Sequence, residues 1–350
     1  MLDRLHAIRS IGAKALLGSA LAATVVLAGC GISSHTGTGG IGSPSLTACQ
    51  ATVASITNTT GNPSQTPTAP SAGVSGSISA DGSSALQPLV QAVAAVFDQG
   101  NGTHSSINAG GSGKGLTDVN NGAVQIGMSD LYQSAKSISG LTDHQVAVVA
   151  FTLVVNRDIS SKVRNLTTRQ VKDIYAGNVT NWSQIGGPNE LITVVNRPTN
   201  SGTRGTFEQY VLGAKNEVPG NTLTQDNTGA VFQAVTSTPG SIGYVSTGFV
   251  TASSATGVPT PICIDGYKAD ATDINSGNYK FWNIEHAYTK GPATGAAKAL
   301  LQFVESSAVQ TTLVPKLNYY TITSIAQSAI QSHTSTNSAD PAPESFYSGS

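Results

Sequence analysis

Leu191 to Leu212, LITVVNRPTNSGTRGTFEQYVL, carries a strand, a turn and a helix in succession. Leu191–Val195 is a short apolar, β-branched run of strand character. Phe207, Tyr210 and Val211 fall on one helical face and predict a helix over Thr203–Leu212. Between them lies Arg197–Gly205, RPTNSGTRG. The first turn of a helix leaves backbone N–H groups unpaired and carries a partial positive charge. Glycine lets that backbone approach a ligand closely, and Ser or Thr adds a hydroxyl donor. Arg197 brings a guanidinium to the same turn.

Working outward, the same unit recurs. Val74–Ser79 reads as a strand, Asp81–Leu86 (DGSSAL) as a turn, and Leu86, Leu89, Val90, Val93, Val96 and Phe97 as one face of a helix. Gly110–Gly115 (GGSGKG) is a second Gly/Ser-rich turn, and Val124–Met128 is a strand that ends in Ser129-Asp130. Strands are also predicted over Val146–Val155, Ser241–Val245 and Lys280–Tyr288. Helices are predicted over Thr168–Ala176, closed by Gly177, and Ala296–Val304. Alternating strands and helices define an α/β architecture, whose ligands sit where strand ends meet helix starts. A single Ser/Gly turn is usually only a helix cap. Three in one chain, one with an arginine, point to a tetrahedral oxyanion. Lys114 is no P-loop lysine: the required Gly six positions earlier is Asn108, and Gly115 stands where Ser or Thr is needed. It reads as a surface charge. Asp130 closes a strand, where Asp is usually a turn or cap residue; beside a bound oxyanion it would also discriminate. Phosphate keeps a proton at neutral pH, which a carboxylate accepts; sulfate has none and is repelled.

With 39% hydrophobic residues the chain of 350 can bury a large core, and with 11% charged residues and a net charge of −1 it lacks the basic surplus that a nucleic-acid partner requires. Arg4, Arg9 and Lys14 precede an uncharged run from Ala15 to Gly29, too short for a comfortable bilayer span but suited to a signal-peptide core. Leu27-Ala28-Gly29-Cys30 resembles the bacterial lipobox. Residues 1–29 are therefore expected to be removed and Cys30 to be lipidated, anchoring the chain to a membrane. Residues 30–73, rich in Gly, Ser, Thr and Pro, read as a flexible tether, and 332–350 as a disordered tail. Cys49 and Cys263 could form a disulfide outside the cytoplasm or remain two thiols. Trp182 and Trp282 read as packing residues.

Taken together, these segments resemble the periplasmic phosphate-binding proteins of ABC transporters. That family shows, in order, a Ser/Thr turn, a Gly-Ser turn, a strand ending in Ser-Asp, and an Arg four residues before Ser-Gly-Thr. This chain has Ser83-Ser84, Ser112, Ser129-Asp130, and Arg197 with Ser201-Gly202-Thr203. Leu153–Asn156, Val171–Gly177, Asn181-Trp182 and Pro239–Val245 add to the likeness, which runs from about Gly76 to Thr321. The resemblance implies a type II two-lobe periplasmic-binding-protein fold with a ligand cleft between the lobes. The chain would cross between lobes near Val155 and Val250, giving residues 74–154 and 251–331 to one lobe and 155–250 to the other.

It implies a phosphate site built from Ser83, Ser84, the Ala85 amide, Ser112, Asp130 as proton acceptor, Arg197, Ser201, Gly202 and Thr203. No metal or cofactor is implied. The implied partners are inorganic phosphate and an ABC permease and ATPase, with the binding protein a monomer. One departure concerns Arg197: some relatives carry an Asp two residues later to hold it, and here that residue is Thr199. Arg197 must then be oriented by other groups, and Arg204 adds a second cation nearby. Two rival readings remain at this level: a phosphate sensor without transport, and a phosphate-ester hydrolase. The second lacks support, because no His is spaced as a base or metal ligand and no nucleophile elbow surrounds the serines.

Overall fold

The computed structural model describes residues 65–213, 217, 222–252 and 259–334. The expected signal peptide, Cys30, Cys49 and most of the tether lie outside them. The described strands are β1 (Ser75–Gly82), β2 (Gly102–Ala109), β3 (Ile126–Ser129), β4 (Thr142–Val155), β5 (Asn165–Leu166), β6 (Thr193–Asn196), β7 (Thr222–Thr224), β8 (Ser241–Ser246), β9 (Thr260–Ile264) and β10 (Trp282–Thr289). The longer helices are α1 (Gln87–Gly100), α2 (Ser112–Asn121), α3 (Thr168–Tyr175), α4 (Gly202–Phe207), α5 (Thr228–Ser237), α6 (Gly295–Glu305) and α7 (Gln327–Thr334).

The main path of the sheet runs β2-β1-β3-β10-β4-β8-β6-β7, with β9 joined to β4 and β5 to β9. β1 is parallel to β2 and β3, and β6 is parallel to β7 and β8. β4 joins the two groups. Its residues Thr142 to Ala150 pair antiparallel with β10, and Phe151 to Val155 pair with β8. Both faces of β4 are covered, so Val146 to Val155 is a continuous buried run rather than an alternating one. In each group a helix follows a parallel strand through a short turn, so the turns collect at strand C-termini.

Local chemistry explains the elements. Helix α1 starts with Pro88 in its first turn and buries Leu89, Val90, Val93, Ala94 and Phe97. Phe97 packs on Phe303 of α6, with ring centroids 6.0 Å apart. Each such apolar side chain contributes about 1.5–3 kcal/mol on burial. Helix α3 opens with a reciprocal cap between Thr167 and Gln170. Both tryptophans are buried packing residues; the Trp182 indole donates to the Gly240 carbonyl at 2.8 Å.

Five expectations need correction. The second group of strands extends past Val250: β9 still pairs with the Leu153–Val155 end of β4, so the return to the first group comes after Ile264. The outward crossing likewise lies within β4, between Ala150 and Phe151, where its pairing partner changes. Order continues beyond residue 332, because α7 reaches Thr334. Its buried His333 stacks on Trp282 with centroids 3.7 Å apart. The end of the tether is docked as well: Asn101 accepts from the Ala72 amide and donates to the Pro70 carbonyl. The helix after Arg197 is α-helical only through Phe207 and widens into a π-helical turn over Glu208–Leu212. Cys263 is disulfide-bonded; Cys49, its candidate partner, lies outside the described residues.

Candidate anion-binding site

The three turns anticipated from sequence meet. The first, after β1, is tied to the others through its backbone: the Ser83 amide donates to Met128 O at 2.9 Å, and Gly110 and Gly111 both donate to Gly82 O at 2.8 Å. The second turn opens α2. Gly111 there has φ +86°, and a Cβ on it would lie 2.9 Å from the Asn200 carbonyl, so only glycine fits. The third turn, Arg197–Ser201, reaches across to the second. Asn200 donates from Nδ2 to Gly110 O at 3.0 Å and accepts from the Gly113 amide at 2.9 Å.

Asp130, at the end of β3, is buried among these turns. Its Oδ1 accepts from the Ser112 hydroxyl at 3.2 Å and its Oδ2 from the Thr203 hydroxyl at 3.1 Å. The Asp130 amide donates back to Ser112 Oγ at 3.0 Å, and Asn283 of β10 donates to its carbonyl at 2.7 Å. Gly202 lies against the same group: a Cβ there would sit 2.1 Å from Ser112 Oγ and 2.8 Å from Asp130 Cγ. Gly202 and Thr203 form the first turn of α4, where amides have no acceptor within the helix. Ser201 caps that helix by accepting from the Arg204 amide at 3.3 Å.

Arg197 is 1% exposed. Its Nη2 donates to the Asp226 carbonyl at 2.9 Å and to Ser84 Oγ at 3.3 Å. Its Nε and Nη1 have no hydrogen-bond partner among the described residues. Burial holds this guanidinium below its ordinary pKa, partly offset by surrounding acidic groups, Asp130 among them. The Asp226 carbonyl thus takes the place of the carboxylate that Thr199 does not supply. Arg204, expected as a second cation nearby, is engaged by its own partners. Its Nε bonds Glu208 at 2.9 Å, and its Nη1 donates to the Arg197 carbonyl at 2.7 Å and lies 3.6 Å from Glu217. Glu217 also accepts from the Tyr244 hydroxyl at 2.8 Å, and burial raises its pKa to about 7 against the pull of Arg204.

The expected site residues therefore divide by what their groups do. Ser84, Ser112, Asp130, Arg197, Gly202 and Thr203 turn donor or acceptor groups toward one another. Ser83 and Ala85 form the frame of the first turn: the Ser83 hydroxyl accepts from the Ala85 and Leu86 amides at 3.0 Å each, which occupies the Ala85 N–H. Lys114 is half-exposed and pairs with Asp81 and Asp118. Sequence reading missed a fourth turn, Asp226-Asn227-Thr228, which opens α5. Thr228 is buried; its hydroxyl lies 3.1 Å from Ser84 Oγ and its amide donates to the same oxygen at 3.3 Å. The signal was present as another Asn-Thr-Gly cap ahead of the apolar Val231-Phe232 pair.

A buried guanidinium beside a buried carboxylate, ringed by hydroxyls and helix starts, in a mixed α/β sheet, defines a solute-binding protein for a small oxyanion. Residues 67–308 match the family model of the PBP superfamily domain, so the chain belongs to that superfamily. It is 41% identical over 254 residues to the phosphate-binding protein PstS of Bacillus subtilis, covering 71% of this chain and 82% of that one, and it belongs to the PstS family. A second PstS, from Borreliella burgdorferi, is 25% identical over 210 residues, 58% of this chain and 74% of that one. A crystal structure of a phosphate ABC transporter substrate-binding protein from Clostridium perfringens, with bound phosphate, superposes with a TM-score of 0.64. It shares 28% identity, over 70% of this chain and 99% of that one. The fold is accordingly the two-lobe α/β fold of substrate-binding proteins, and the chain is a binding protein rather than an enzyme.

Proposed function

We propose that this protein captures inorganic phosphate outside the cytoplasm and delivers it to the permease and ATPase of an ABC importer. The observation that carries the reading is the Arg197 guanidinium, buried with three N–H groups, on Nε and Nη1, unsatisfied among the described residues. An uncompensated buried charge costs several kcal/mol, which a bound anion offsets. Ser84, Ser112, Gly202 and Thr203 surround the remaining oxygens of a tetrahedral ligand, and Asp130 accepts the ligand's proton. Ser201 holds the start of α4 in place, while Ser83 and the Ala85 backbone hold the first turn.

The lobes follow the pairing of β4: β1–β3 and β10 belong to one, β5–β9 to the other, and the ligand lies where the 110–113 turn meets Asn200. The protein acts as a monomer tethered through a lipid on Cys30; a Cys30→Ser variant would be released from membranes. Calorimetry of the soluble part at neutral pH tests the central reading. One phosphate per chain at micromolar affinity or tighter is expected, equivalent to about −8 kcal/mol or more, with arsenate competing and sulfate giving no heat. Absence of a phosphate heat would refute it.

A further inference from the structure

Glu285 lies in β10 directly beside the site. β10 runs antiparallel to β3 with His286 paired to Ser129 and Ala287 to Met128, and Glu285 precedes that paired stretch where Asp130 follows it. Asn283, on the same face of β10, donates to the Asp130 carbonyl at 2.7 Å and to the Thr206 hydroxyl at 3.2 Å. Glu285 has 0% exposure, and counted as a carboxylate neither of its oxygens finds a donor. A buried ionised carboxylate without donors is costly. A carboxylic acid beside a carboxylate is not, because the single hydrogen is shared between them.

We infer that Glu285 is a positioning and specificity residue, held as the neutral acid and donating its hydrogen to the Asp130 carboxylate. This rests on Asp130 being the acceptor of the ligand's proton. Burial, reinforced by the Asp130 charge, pushes the Glu285 carboxyl well above the ordinary carboxylate range. The ionisable groups around it are few. Asp130 faces it from the end of β3, and Tyr319 faces it from the C-terminal segment, with its own hydroxyl donated to the Ala85 carbonyl. Its neighbour in β4 is Ala147, which does not titrate.

Two consequences follow. An ionised carboxylate has about four lone-pair positions. Ser112 and Thr203 fill two on Asp130, Glu285 fills a third, and the last is left for the proton of the ligand. The site then carries one negative charge against Arg197. When Glu285 loses its hydrogen in alkaline solution, two adjacent carboxylates confront the anion, and phosphate is expelled more steeply than the titration of phosphate alone would produce.

The test compares Glu285→Gln, which keeps a donor and cannot ionise, with Glu285→Leu, which has neither property. Phosphate affinity is measured by calorimetry from pH 6 to pH 10. At neutral pH, Glu285→Gln should bind about threefold more weakly than the natural protein and Glu285→Leu more than tenfold more weakly. Equal neutral affinities for the two variants would overturn the inference. Should neither variant fold, carboxyl ¹³C NMR of the natural protein decides: a Glu285 resonance in the protonated position at pH 7 supports the inference, and one in the ionised position overturns it. Failure of the natural protein to bind phosphate at any pH would refute the phosphate reading itself and is a separate outcome.

Discussion

Two interior regions of this protein bury charge, and they do so differently. Within the first strand group, His286 bonds Asp143 at 2.8 Å and His144 lies 3.4 Å from Glu305, so each acidic group has a basic partner beside it. At the candidate site, where turns from both strand groups meet, Nε and Nη1 of Arg197 have no acceptor among the described residues. A buried acidic group with a basic partner beside it helps to hold a fold together. A buried guanidinium left incomplete on its donor side is completed by an added acceptor. The contrast locates the ligand more sharply than the shape of any cavity.

The largest effect should come from Arg197→Ala. Losing two charge-assisted hydrogen bonds at roughly 1.5–3 kcal/mol each weakens phosphate binding by about three orders of magnitude. The melting temperature of the ligand-free variant should hold or rise, because an uncompensated buried charge is gone. Asp143→Ala should do the reverse: stability falls by about 2–3 kcal/mol, while phosphate affinity changes less than threefold. If both variants lose affinity equally, the distinction between the regions fails.

Gly202→Ala comes next. Its methyl would overlap Ser112 Oγ, so the third turn must retreat, at about 1–3 kcal/mol. Phosphate titrations should show a loss of roughly tenfold to a hundredfold. For Asp130→Asn, competition binding should show phosphate about tenfold weaker, the loss of roughly one hydrogen bond to a charged group. Sulfate should then bind measurably, since the repelling carboxylate is gone. Unchanged sulfate exclusion would remove Asp130 from its discriminating role.

The smallest effect is on stability. The pKa of Glu217 is raised from 4.5 to about 7, so the folded protein holds this proton more tightly than the unfolded chain does. Its contribution is fully present below about pH 4.5 and is lost as pH rises toward 7. Relative to Glu217→Gln, the natural protein should lose melting temperature over that interval, and parallel curves would count against the assignment.

What the sequence revealed is mostly local. The first and third turns each lie between a strand-like apolar run and one of period 3.6, while Ser112 and Asp130 stand out by their Gly-Ser turn and strand-end position, so Ser84, Ser112, Asp130 and Arg197 are legible from local pattern. What escaped is non-local. The Asp226 carbonyl that holds Arg197 is a backbone atom and leaves no residue signature. Read alone, Asn283 and Glu285 alternate with Trp282 and Ile284 like the wet face of a half-buried strand; β10 is in fact covered on both sides. The return crossing was placed too early because strand pairing, not composition, decides to which group β9 belongs. His333 was assigned to a tail because its polar neighbours hide that it stacks between Tyr210 and Trp282.

The bonds from Asn200 to Gly110 and Gly113 involve no anion at all. At about 1 kcal/mol each, they bias the empty protein toward the shut arrangement by roughly thirtyfold. Only the Nδ2 bond to Gly110, roughly fivefold of that bias, depends on the Asn200 side chain; the other is accepted by its backbone carbonyl. Evolution could retune how readily the molecule lets go of its cargo at that position without altering any atom that touches the ion.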